Sequence, residues 1–187
     1  MRNPTAKLLA AILLFGSSAA FAHPGHDISG FSAGLLHPFS GLDHLLAMVA
    51  VGLWAAQGAG KRVWLLPATF MAMLAIGAVT AMHWQSLPLV EAGIATSVLA
   101  LGLLVALSLQ LPVAPSMAVT ALFGFIHGYA HGLELPLSAY PAAYALGFLA
   151  ATATLHLGGI AAGIATHRSH AALGIAIAAC GAWMLVA

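Results

Sequence analysis

The stretch IHGYAHGLE, Ile126 to Glu134, sets two histidines and a glutamate into a run otherwise made of Ala, Leu, Phe and Gly. What surrounds it decides the fold. The 187-residue chain is 62% hydrophobic and 5% charged, with a mean hydropathy of +1.03, whereas soluble domains carry roughly 25% charged residues. Apolar runs near the length of a bilayer crossing recur along it, so the expected fold is all-α, a polytopic membrane helix bundle. Within a helix, His127, His131 and Glu134 stand at i, i+4 and i+7, and at about 100° per residue all three project from one stripe.

Residues 1–22 read as a signal peptide: Arg2 and Lys7, the apolar core LLAAILLF, then GSSAAFA, with Ala20 and Ala22 placing cleavage after Ala22. The mature chain, 23–187, is a single transmembrane helical domain with six apolar segments, at about 30–56, 63–83, 88–110, 114–136, 139–165 and 170–187. Pro, Gly and polar residues punctuate the breaks between them. Delivery of the new N-terminus outside puts Lys61, Arg62 and Arg168 on the cytoplasmic side. These are all the basic residues of the mature chain. The positive-inside rule is then met by six spans in a bacterial-type inner membrane, with both mature termini outside.

Loss of Arg2 and Lys7 leaves three basic residues against four acidic ones, which points to neither nucleic acid nor an anionic lipid surface. Cys180 is the sole cysteine, so an intrachain disulfide and a thiolate cluster are both excluded, and the residue reads as packing.

The first segment, taken as one helix at about 1.5 Å per residue, outruns a hydrocarbon core of roughly 30 Å. It must tilt or break. Pro38 suggests a break, and Ser40-Gly41-Leu42-Asp43 has the form of a capping box that restarts a helix at Ser40. The same segment carries HPFSGLDH. His37 and His44, seven apart, share a face if the helix is continuous, and Asp43 is turned about 100° from His44.

Ionisable groups are costly inside a membrane and mark sites or pathways; as structural groups they hydrogen-bond between helices. Depth favours a site. The first helix runs inward, with His37 about 9–10 Å and His44 about 20 Å below its start, while the fourth runs outward, with His131 and His127 roughly 4.5 and 10 Å below Glu134. The two sets overlap in the outer half and middle of the bilayer. Gly124, Gly128 and Gly132 form a small-residue ridge beside the stripe, expected to bring the helix with the other ligands close. Gly159-x3-Gly163 permits similar packing within or between subunits.

Further groups extend the set. Glu91, near the outer start of the third segment, adds a carboxylate at the same level or else stands as an acid favoured at a helix N-terminus. His156, past the middle of the fifth, is an exit-side ligand or a packing histidine. Cleavage after Ala22 exposes HPGHD, so that His23, His26 and Asp27 form a metal-capturing end or a solvated terminus. Imidazole and carboxylate without thiolate suit Ni²⁺, Co²⁺ or Zn²⁺ better than Cu⁺, while Met48, Met71 and Met73 read as core.

The H-x5-D-H pattern at His37, Asp43 and His44, together with H-G-x-A-H-G-x-E from His127 to Glu134, resembles the HupE/UreJ family of hydrogenase and urease accessory proteins. The likeness takes in the signal peptide and the six spans, hence nearly the whole chain. One departure is Ile126, where the family often has Phe; Phe125 lies one place earlier. The resemblance implies uptake of nickel, or of cobalt, for metalloenzyme maturation, with metal passage assigned to His37, Asp43, His44, His127, His131 and Glu134. It implies a transporter with no permanently bound cofactor, whose partners are the metal ion, the lipid bilayer and, on the cytoplasmic side, a metallochaperone or further copies of the chain.

Two other readings compete with a secondary metal permease. An intramembrane zinc hydrolase would use three histidines with Asp43 or Glu134 activating water, but the H-E-x-x-H pattern is absent. A membrane haem protein would use a pair such as His44 and His127 as axial ligands, and has no need of the clustered carboxylates.

Overall fold

The first apolar segment breaks at Gly41. In a computed structural model that describes residues 30–58, 62–84, 86–134, 140–165 and 169–187, α1 (Phe31–Ser40) and α2 (Leu42–Gln57) meet there at 85°. Gly41 is extended, with φ −100° and ψ 119°. Pro38 lies inside α1 rather than at the break. Its missing N–H costs one bond near the end of a short helix, and the backbone continues helical to Ser40. The expected capping box does not form: the Ser40 hydroxyl donates to the His37 carbonyl at 2.6 Å, and Gly41 is the N-cap of α2. The signal peptide, His23, His26 and Asp27 lie outside the described residues.

Five more helices follow: α3 (Arg62–His83), α4 (Val90–Ala106), α5 (Val113–Leu133), α6 (Pro141–Ala165) and α7 (His170–Val186). Among the described residues every regular element is helical. Val63–His83, Val113–Leu133 and Pro141–Ala165 are long and apolar enough to cross a membrane, and the bent α1/α2 pair makes a fourth span if counted as one. The third and sixth expected spans are shorter apolar helices, of 17 residues each. The third is trimmed at both ends by left-handed backbone, Leu89 at φ 62° and Ser108 at φ 49°, a conformation that ends regular helix in non-glycine residues.

The helices associate in seams between segments distant in sequence. α3 lies along α5, α4 along α7, and α6 along both α1 and α2. The register of the close approaches gives their directions. Gly124, Gly128 and Gly132 of α5 face Phe70, Leu74 and Ala78 of α3, so these two run parallel. Gly159 and Gly163 of α6 face Val49 and Ala56 of α2, again parallel, which makes the Gly159-x3-Gly163 pair a seam within the chain. Gly181 and Gly174 of α7 face Leu99 and Ala106 of α4, antiparallel. Absence of a Cβ lets the backbones touch, and in lipid such packing replaces the hydrophobic drive that water would supply.

α2 is the hub. It contacts α3, α4, α6 and α7, and it buries His44 together with Met48, Val51, Leu53 and Trp54. Its C-terminal end is stapled to α4 and the turn after it by Gln57 Nε2 donating to the Val105 carbonyl and Trp54 Nε1 to that of Leu109, both at 2.9 Å. Outward faces are apolar: Leu122, Leu146, Ile164 and Ile175 are all more than half exposed, the inverse of a soluble surface and suited to lipid. Trp64 and Trp84, exposed by 64% and 65%, bracket α3 about 30 Å apart by helical rise, as aromatic belts bracket a hydrocarbon core. Cys180 is half-buried and packs against the core.

A methyl at Gly128 would collide with the Leu74 backbone, which cannot rotate away. Gly128→Ala should therefore cost about 1–3 kcal/mol, read as a lower midpoint of thermal unfolding in detergent. Gly158→Ala, whose Cβ meets nothing within 4 Å, should leave the midpoint unchanged or slightly raised.

Candidate metal centre

Asp43 stands in the first turn of α2, where the helix dipole favours an acid. Its Oδ1 accepts two bonds from the next residue, one from the His44 backbone N–H at 2.8 Å and one from the His44 ring at Nδ1, 2.7 Å. An ionised carboxylate only accepts, so Nδ1 carries the ring proton. His44 Nε2 then keeps a lone pair, and it is buried without a partner. Carboxylate, imidazole and free distal nitrogen form the arrangement in which a second residue orients a metal-binding histidine. Asp43 acts on its neighbour here, rather than as an equal member of a ligand ring.

His44 comes under the α5 stripe through the bend. The break at Gly41 takes His37 and His44 off any common helical face, contrary to the continuous-helix expectation, yet both reach the same column. The ring of His131 lies 4.0 Å from that of His44 and 4.9 Å from that of His37, centroid to centroid. The His127 ring lies 4.8 Å from that of His44. Gly41 makes the junction possible: a Cβ there would fall 2.8 Å from Asp43 Oδ1 and 3.1 Å from His44 Nδ1.

At one end of the column His37 Nε2 lies 3.4 Å and His131 Nδ1 3.7 Å from Glu134 Oε2. One ligand atom from each of the three falls within 4.8 Å of the others, a spacing that one ion can bridge after small side-chain shifts. Glu134 is not within the helix, as the stripe implied, but is the C-cap of α5. A carboxylate there opposes the helix dipole, and its side chain is 57% exposed beside a His37 that is 32% exposed, so this is the open end of a row that is buried from His131 onward.

At the other end His127 is fully buried, with Nε2 2.7 Å from the Ser97 hydroxyl and Nδ1 unpartnered. Beyond it the Phe70 ring stands 5.7 Å from His127 and 5.2 Å from His156. Both ring nitrogens of His156 are buried without hydrogen bonds. Glu91 is outside the imidazole row; with Asp43, Trp183 and Met184 it lines an open cleft of about 610 Å³.

The glycine ridge serves a different partner from the one expected. It seats α3, which offers no ligand to the row; α5 meets α1 and α2 at the site through side chains. The sequence motifs do not mark Ser97 or Phe70. A hydroxyl in the middle of an apolar span was the available signal for Ser97, whereas nothing distinguishes Phe70 from a core aromatic.

A helix bundle with lipid-facing flanks and a column of imidazoles and carboxylates at its hub defines a membrane protein with an ionisable centre. The chain belongs to the HupE/UreJ family: the family profile described as HupE / UreJ protein matches residues 10–185. It is 45% identical over 185 residues to Protein HupE of Rhizobium leguminosarum bv. viciae, an alignment covering 95% of each chain. No solved structure matches.

Gly41→Ala should displace the Asp43 carboxylate from His44 without disturbing the glycine seams. Titration of purified protein with Ni²⁺ should then show affinity lowered by about 10–100-fold, with stability lowered by no more than the roughly 1–3 kcal/mol of one lost buried hydrogen bond.

Proposed function

We propose that this protein is a secondary transporter of a divalent transition metal ion, nickel or its close relative cobalt, across the cytoplasmic membrane, supplying hydrogenase or urease maturation. One observation carries the reading. His44 Nε2, His127 Nδ1 and both nitrogens of His131 and His156 are buried with no hydrogen-bond partner, in a protein interior where buried polar atoms are nearly always paired. Four histidines left so at the centre of a membrane bundle are ligands held in reserve.

Their arrangement favours passage. The donors are strung along the bundle from the exposed Glu134 carboxylate to His156, instead of converging on one point as a closed structural or catalytic zinc site requires. A carried ion must bind firmly enough to enter and loosely enough to leave. His37, His131 and Glu134 would collect it, His44 and His127 would hold it, and His156 would receive it beyond Phe70. Imidazole with carboxylate matches Ni²⁺ and Co²⁺. The positions of Lys61, Arg62 and Arg168 in the sequence favour an orientation with the Glu134 mouth outside and His156 toward the cytoplasm, where a metallochaperone would take the ion over.

Purified protein in liposomes should accumulate Ni²⁺ down an imposed gradient, and His127→Ala with His131→Ala should lower the initial rate at least about tenfold, on the scale of losing a metal ligand's support. His83→Ala, at the exposed end of α3 and in none of the row's ring or ion-pair contacts, should transport like the unaltered chain. Equal uptake by the double variant would overturn the proposal.

A further inference from the structure

Ser97 offers one hydroxyl proton and two acceptor lone pairs, and it is fully buried in α4. Its Oγ lies 2.7 Å from the Ile94 carbonyl, one turn back, and 2.7 Å from His127 Nε2. A carbonyl only accepts, so the Ile94 contact takes the hydroxyl proton. The His127 contact can then be made in one way, with Nε2–H donating to Oγ. The reverse assignment, hydroxyl to Nε2, gives up the bond to Ile94 and puts the ring proton on Nδ1, a buried atom with no acceptor. It forfeits one bond and orphans a donor, each unfavourable in a dry interior.

We infer that Ser97 is a positioning residue that fixes His127 as the Nε2–H tautomer and so selects Nδ1 as the nitrogen that binds the metal ion. The metal-binding part of the inference rests on the transport reading; the tautomer follows from the hydrogen bonds. It pairs with the neighbouring ring in the opposite sense. Asp43 holds the proton of His44 on Nδ1 and frees Nε2, whereas Ser97 holds that of His127 on Nε2 and frees Nδ1. Two adjacent imidazoles are thus presented through different nitrogens, one oriented by a charged acceptor and one by a neutral hydroxyl. The oriented partner sets which ring nitrogen is metallated.

The test uses full-length protein in detergent micelles with ring-¹⁵N histidine, His127 being assigned from the His127→Gln difference. Metal-free protein should show a protonated, hydrogen-bonded Nε2 and a pyridine-type Nδ1 at His127. Cd²⁺, a diamagnetic probe, should shift Nδ1 and leave Nε2 protonated. Ser97→Ala should move the Nε2 proton resonance and weaken Cd²⁺ binding by about 10–100-fold, and Ser97→Thr, which keeps the hydroxyl, should restore both. A proton on Nδ1 in the unaltered protein, Cd²⁺ bound through Nε2, or a Ser97→Ala spectrum and affinity identical to the unaltered protein's would each overturn the inference. Should Ser97→Ala fail to fold, the unaltered spectrum and its response to Cd²⁺ decide alone. No Cd²⁺ binding at all would sink both the transport reading and the choice of ligating atom, while a tautomer of the wrong kind in a protein that binds Cd²⁺ would sink this inference and leave the transport reading standing.

Discussion

The contact between Asp43 Oδ1 and His44 Nδ1, 2.7 Å long, organises the centre of the bundle. It lies in the first turn of the hub helix, requires the absence of a side chain at Gly41, and fixes the orientation of the ring against which those of His127 and His131 pack. Take it away and His44 becomes a buried imidazole free to turn, with His131 and His127 losing the surface they pack on. The 85° bend belongs to the same unit, since it lets two histidines of one segment approach a neighbouring helix from different directions.

Around this unit the glycine seams act as a frame. Helices far apart in sequence are held backbone to backbone, α3 with α5 and α4 with α7, while α2 meets α5 through the rings of His44, His127 and His131. The frame therefore separates two jobs: small residues supply cohesion among lipid tails, and the face of α2 turned to α5 is left to hold polar rings that packing alone would not tolerate.

Much of this is legible in the residues. The i, i+4, i+7 stripe and HPFSGLDH identify the groups, and rise per residue places them at matching depth, because helix geometry is local and regular. Pairing of helices is not local. The ridge at Gly124, Gly128 and Gly132 reveals that something approaches α5 closely, but a Gly face fits any apolar helix, and the partner is α3 and not the ligand-bearing segment. Ser40 likewise matches the capping-box pattern, and its hydroxyl turns back to the His37 carbonyl because the chain remains helical past Pro38. Ser97 escapes notice because a lone hydroxyl can always bond its own helix; only the approach of His127 gives it a second task.

A helix that ends on Glu134 adds a full negative charge to the roughly half charge already present at its C-terminus. The mouth of the column is thus a region of negative potential, set by backbone direction as much as by side chain. Such a field acts before contact, raising the local concentration of divalent cations and the frequency of productive encounters, and it fades as dissolved salt shortens the Debye length. In the transport proposed here, capture at this end would respond to dissolved salt, and retention further in would depend on buried imidazoles that salt scarcely reaches.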